Sequence, residues 1–383
     1  MPFYQKRGEI PPKRHTQFTN KNGELYWEEL ISRGGFSNIY SNVYHTHPPT
    51  AIKSIGTFQE HKINKTARAH RHYHIQTSKL TSSGDFISSL VPLFYNTDLV
   101  ISKAHMTKSM EYLYKSGCGD EIIFINSGNG KFKSNFGSMN INQGDYIVIP
   151  KGVIWQIDIY KNIHALIIES KGSIKTPNRY RNQFGQLLEH APFCERDITT
   201  PKYENPINSN KSIEVKIKLN DGIQNYIYEQ HPFDLVGWDG YYFPYIFNIY
   251  DFMPITGKIH QPPPVHQTFQ SHGFVICSFV PRLFDYHPQA IPAPYAHSNV
   301  DSDEIIFYVE GEFMSRKGIK KESITYHPSG LPHGPQPGKI EESIGAIETN
   351  EVAVMIDTFK PLTLTKAIDE IDDVDYPLSW SKK

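Results

Sequence analysis

Apolar positions along the chain come in short runs without a sustained helical period, each closed by glycine, proline or asparagine. Leu99-Val-Ile-Ser, Glu121-Ile-Ile-Phe-Ile125 and Tyr146-Ile-Val-Ile149, each bounded by Gly, Asn or Pro, predict strands. Ile213-Glu-Val-Lys-Ile-Lys-Leu219 alternates cleanly and predicts a half-exposed strand. Residues 1–60, the aromatic block Val236 to Tyr245 and the run Phe274 to Val280 extend the same reading. Many short strands at near-regular spacing predict an all-β sandwich or barrel. Two segments depart from it. The stretch around Tyr180 to His190 predicts one short helix, ahead of a polar connector from Glu195 to Ser212. In the tail, Leu364, Ala367, Ile368, Ile371 and Val374 fall at helical spacing, with Pro377 as the stop and Asp369, Glu370, Asp372 and Asp373 as a solvated face.

An internal repeat organises these strands. Asp120-Glu-Ile-Ile-Phe124 recurs as Asp303-Glu-Ile-Ile-Phe307, and each copy has a glycine, Gly128 or Gly311, seven residues past its glutamate. Downstream, Pro150-Lys-Gly-Val-Ile-Trp155 answers Pro328-Ser-Gly-Leu-Pro-His333. The chain therefore reads as two related β-domains: residues 1–235, structural, and residues 236–383, carrying the chemistry.

The asymmetry of the repeat locates that chemistry. His297, Glu304 and His333 make two histidines and one carboxylate, a ligand set that leaves open positions on a non-heme iron. Glu304 leads a strand apolar on both faces, so its carboxylate needs a cation or strong donors. The first copy has Trp155 in place of His333 and no histidine before Glu121, and it is expected to bind no metal. His327 shares a hairpin with His333, which predicts a role beside the metal or at a substrate. His45 with His47, and His70 with His72 and His74, alternate as strand residues do, and predict polar strand faces or subunit contacts.

Composition narrows the function classes. The 383 residues carry 39 basic and 40 acidic side chains, a net charge of -1, so total charge offers no reason to expect nucleic acid or an anionic membrane as partner. Cys118, Cys194 and Cys277 are widely spaced and suggest neither a disulfide framework nor a zinc knuckle, which fits a cytoplasmic protein. No stretch approaches the roughly 20 apolar residues of a membrane helix.

The order carboxylate, glycine turn, Pro-x-Gly turn, histidine, present twice, resembles the two motifs of the cupin superfamily. The resemblance implies a bicupin of two jelly-roll barrels, to which the periodicity of the tail adds a short C-terminal helix. More narrowly, the opening Met1 to His15, the block Asp234-Leu-Val-Gly-Trp-Asp-Gly-Tyr-Tyr-Phe-Pro-Tyr245 and the element His327 to Pro335 resemble the homogentisate 1,2-dioxygenase family, in its bacterial branch. That resemblance implies an Fe(II) enzyme of tyrosine and phenylalanine catabolism that cleaves the ring of homogentisate with O2 to give maleylacetoacetate. It implies His297, Glu304 and His333 as iron ligands, His260 as acid/base with His266 as the rival, and Tyr295 and His327 at the substrate. It places Phe313 where the family has a substrate-contacting tyrosine, and implies a homo-oligomer, a trimer or hexamer. Six residues separate His297 from Glu304, one more than in the animal pattern, which would match Asp303; the repeat frame selects Glu304. Ring cleavage of another small aromatic such as gentisate, or a non-catalytic bicupin, are the alternatives.

Overall fold

The computed structural model describes residues 3–209 and 211–381, in which strands dominate and the only α-helical segments are Phe86–Ser89 and Lys339–Ser343. The expected β-class is observed, and the repeat is the frame on which it is built. Strand Glu121–Ser134 lies between Asp145–Ile149 and Ile154–Ser170, with Glu121 opposite Ile149 on one side and Glu169 on the other. Strand Asp303–Glu310 lies in the same way between Ser323–His327 and Val352–Thr358, with Glu304 opposite His327 and Asp357.

Successive strand residues face opposite sides, so the repeated Asp-Glu pair divides its work. Asp120 accepts hydrogen bonds from the backbone N–H of Lys151 at 2.8 Å and Ile174 at 2.9 Å. Asp303 accepts the equivalent pair, from Ser329 at 2.8 Å and Leu362 at 2.7 Å. Each aspartate fastens its Pro-x-Gly turn to the strand end, and each glutamate turns inward. The repeated glycines are equally physical. Gly128 and Gly311 have φ of +92° and +95°, and a Cβ would stand 2.1 Å from the Asn162 carbonyl oxygen and 2.5 Å from that of Asn350.

The sheets do not respect a boundary at residue 235. Tyr245–Asn248 pairs with Asp145–Ile149 in the 13-stranded sheet of the first barrel, and Tyr73–Gln76 pairs with Ser323–His327 in the 6-stranded sheet of the second. Each barrel thus receives an outer strand from the other half of the chain, on the equivalent edge. A single apolar core runs through both, and the two copies of the repeat touch at equivalent positions, Phe124 against Phe307 at 6.3 Å. A polar clamp supplements it. Glu322, at a left-handed φ of 63°, reaches from the second barrel to Lys103, Asn126 and His164 of the first.

Both expected helices are corrected. Around residue 180 the chain makes one 3-10 turn, Asn178–Tyr180, then a tight loop closed by pairing of Arg181 with Leu187. The tail forms 3-10 turns at Lys366–Ile368 and Tyr376–Leu378. Its apolar positions Leu364, Ile368 and Ile371 are buried as the periodicity requires, but Asp372 is drawn inward between Arg68 and Arg71, so the acidic face is not a free surface. Packing against these arginines, rather than helix propensity, sets the tail's path. No helix among the described residues is long and apolar enough to cross a membrane.

Candidate metal centre

Three elements converge at the mouth of the second barrel. Glu304 enters from its strand. His297 and His333 are held together as a backbone pair, each N–H donating to the other's carbonyl at 2.8 and 2.9 Å. Glu304 Oε1 is 3.4 Å from His333 Nε2, and Oε2 is 3.9 Å from His297 Nε2. One ligand atom from each residue lies within 4.8 Å of the other two. The Nδ1 of His297 faces the Tyr295 carbonyl at 3.4 Å, and that of His333 faces the Leu331 carbonyl at 3.2 Å. A proton on each Nδ1 leaves both Nε2 lone pairs aimed at one point. His333 Nε2 is buried and has no hydrogen-bond partner, which is the state of a donor set arranged for a cation. The residues therefore fit a metal of the two-histidine, one-carboxylate kind. Asp303, with both carboxylate oxygens engaged by Tyr326, Ser329 and Leu362, is turned away.

His327 does not reach the cavity where a substrate contact was expected. It is fully buried behind Glu304, with Nδ1 2.7 Å from Oε1 and Nε2 3.2 Å from the Tyr376 hydroxyl, its ring stacked on His333 at 4.4 Å. Strand pairing opposite Glu304 forces this position. Burial pushes the His327 imidazole down to about 3 against the pull of Glu304, so it donates its Nδ1 proton as a neutral ring. Burial alone would raise Glu304, but His297, His327 and His333 outweigh it and hold the carboxylate well below its usual range.

In front of the triad opens a cavity of about 500 Å³, lined among others by His260, His266, Tyr295, Phe313 and Asp357. His260 sits at its edge, half exposed, with Nδ1 3.1 Å from Asp285 Oδ2 and its ring 5.2 Å from that of Tyr295. His266 is buried, and burial, with Arg282 nearby, pushes it down to about 3. Phe313 packs edge-on to Tyr308 at 4.4 Å. Sequence reasoning missed His72, Tyr376, Trp380, Arg316 and Asp357. His72 carried a faint signal in its alternation with His70 and His74; its ring now lies 5.4 Å from His327 and 5.1 Å from Trp380. Tyr376 and Trp380 lie in or just beyond the tail, and nothing in the local pattern singled out Arg316 or Asp357. Of the remaining histidines, His45 is a buried strand residue held by Asp234 at 2.6 Å and Glu29 at 3.0 Å.

A sequence model described as homogentisate 1,2-dioxygenase N-terminal matches residues 36–249, ahead of the triad. A Saccharolobus solfataricus protein carrying the provisional name dioxygenase is 43% identical over 99% of this chain and 99% of its own. Homogentisate 1,2-dioxygenase of Caenorhabditis elegans is 24% identical over 78% of this chain and 69% of its own; that of Homo sapiens is 24% identical over 74% and 67%. Among solved structures, a cupin 2 conserved barrel domain protein from Leptotrichia buccalis aligns with 78% of the chain at 14% identity and a TM-score of 0.36.

Proposed function

Because the chain belongs to the homogentisate 1,2-dioxygenase family, we propose that it is an Fe(II) enzyme that opens the aromatic ring of homogentisate with O2 to give maleylacetoacetate, in tyrosine and phenylalanine catabolism. The observation that carries the proposal is the convergence of His297, Glu304 and His333 at the back of a cavity large enough for a single-ring substrate. Those three residues would hold the iron. When bound, it supplies open coordination positions at which a substrate oxygen and O2 meet.

The protein's own groups do the rest. His260 takes the proton of a substrate hydroxyl: Asp285 orients Nδ1, leaving Nε2 as the acceptor. His266, held near 3, is too weak a base for that role at neutral pH. Tyr295 and Phe313 flank the ring, and His327 supports Glu304 instead of touching substrate. We extend the proposal to a cytoplasmic homo-oligomer, a trimer or hexamer, for which sedimentation is the check.

Oxygen uptake by iron-reconstituted protein tests the reading, with homogentisate and gentisate compared. Preferential uptake with homogentisate is expected. Preferential turnover of gentisate would replace the named substrate, a reading favoured by the phenyl ring of Phe313 standing where the family resemblance places a phenol. Absence of iron binding would remove the enzyme altogether.

A further inference from the structure

We infer, resting on the reading of the site as a ring-cleaving centre, that Arg316 anchors a carboxylate on the substrate, so that the cavity selects an aromatic acid over its neutral counterparts. Arg316 is 8% exposed and lines the cavity beside His297, Glu304 and His333. Its guanidinium donates to the carbonyls of Gly334 and Ser315 and is hydrogen-bonded to the Tyr376 side chain, with Glu304 the carboxylate that acts on it, yet its Nε has no partner and among the described residues it makes no ion pair. Guanidinium keeps its proton in proteins, so a buried one with a free Nε and no direct ion pair can take an incoming anion.

The other charges of the cavity leave this vacancy to Arg316 alone. Arg282, the only other arginine or lysine in its wall among the described residues, is paired with Glu351 at 3.1 Å. Asp285 is engaged by His260, and Glu304 by three imidazoles. Asp357, also in the wall, makes no ion pair with Arg316 among the described residues. The Trp380 ring lies 5.5 Å from the guanidinium carbon and backs the planar fork, which suits two parallel hydrogen bonds to a carboxylate. The backbone N–H of Arg316 bonds to the Phe313 carbonyl at 3.2 Å, so one turn sets an apolar ring and a cation in the same wall. An aromatic ring bearing a short acidic arm matches that pairing.

The test is anaerobic calorimetric titration of the iron-loaded full chain with 2,5-dihydroxyphenylacetate and with its primary amide. Wild type is expected to prefer the acid, and Arg316→Gln to lose roughly ten- to a hundredfold in affinity for the acid but under about threefold for the amide. Arg316→Lys should recover part of the loss. Equal loss for both ligands would mean that Arg316 only supports the Gly334 segment, and equal affinity of wild type for acid and amide would also overturn the inference. Because binding is read without turnover, failure of the homogentisate reading in oxygen uptake leaves this result separately decidable.

Discussion

The two barrel mouths hold the same carboxylate in opposite electrostatic states. In the first, Glu121 is buried between Tyr114, whose hydroxyl donates at 2.7 Å, and Trp155, which fills the space with Phe86 and Phe132. Tyr114 pairs with Trp155 as His297 pairs with His333, so the triad position by position is Tyr-Glu-Trp against His-Glu-His. Burial, with Glu169 adding, pushes Glu121 up to about 8. Glu304, equally buried, is held well below its usual range by imidazoles. A buried carboxyl either takes a proton or stays ionised where donors and a cation can meet it, and a phenol and an indole in place of two imidazoles leave the first mouth with no such site.

The largest effect comes from breaking the second mouth. His333→Ala should remove stoichiometric iron from the purified protein, by elemental analysis, while the circular dichroism of the fold persists. Activity should fall roughly a thousandfold or more, because metal catalysis supplies several kcal/mol. Full activity in that variant would end the metal assignment.

Next comes the joint between the barrels. Glu322→Ala leaves the Lys103 ammonium, 4% exposed, without its carboxylate, and should lower unfolding free energy by about 3 kcal/mol in denaturant titration. Burial would raise Glu322, but His164 and Lys103 outweigh it and hold it at about 2. Its contribution is therefore complete above its ordinary pKa of 4.5 and is lost as pH falls toward 2. Unchanged acid sensitivity in the variant would count against the clamp.

A smaller effect is expected behind Glu304. His327→Ala should weaken iron affinity by about ten- to a hundredfold in a competition assay with a chelator, with little change in KM, since the residue orients Glu304 and does not reach the cavity. A rise in KM with iron affinity intact would restore it to the substrate. The smallest belongs to the first mouth. Glu121→Gln replaces a carboxyl that is already protonated, so stability near pH 5 should change by under about 1 kcal/mol. In wild type the folded state keeps that proton while the unfolded state loses it above 4.5, so stability falls as pH rises toward 8. The variant should lack that decline and be relatively more stable at pH 8; loss of catalysis in it would break the structural reading of the first barrel.

Much of this was readable along the chain because it is local. The Asp-Glu-Ile-Ile-Phe repeat, the glycine seven residues on and the Pro-x-Gly turn are short-range devices whose backbone demands follow from residue type, and the choice of Glu304 over Asp303 followed from the frame they share. Strand alternation gives the reason in space: Asp303 faces the turn it fastens, and Glu304 faces the barrel. The tail shows the limit, since periodicity identified Ile368 and Ile371 as buried but could not foresee that Arg68 and Arg71, some 300 positions earlier, would draw Asp372 inward and replace the helix by 3-10 turns.

By itself, then, the sequence determined the β-class, the double frame, the three residues that could hold a metal and the absence of two of them from the first barrel, all matters of spacing and residue chemistry. Tertiary structure alone decided what stands around them. The reciprocal exchange of Tyr73–Gln76 and Tyr245–Asn248, the retreat of His327 behind Glu304 and the arrival of His72, Tyr376, Trp380 and Arg316 depend on strand pairing and packing between segments far apart in the chain. No local pattern encodes such neighbours, because the energy that selects them appears only once both segments are buried together.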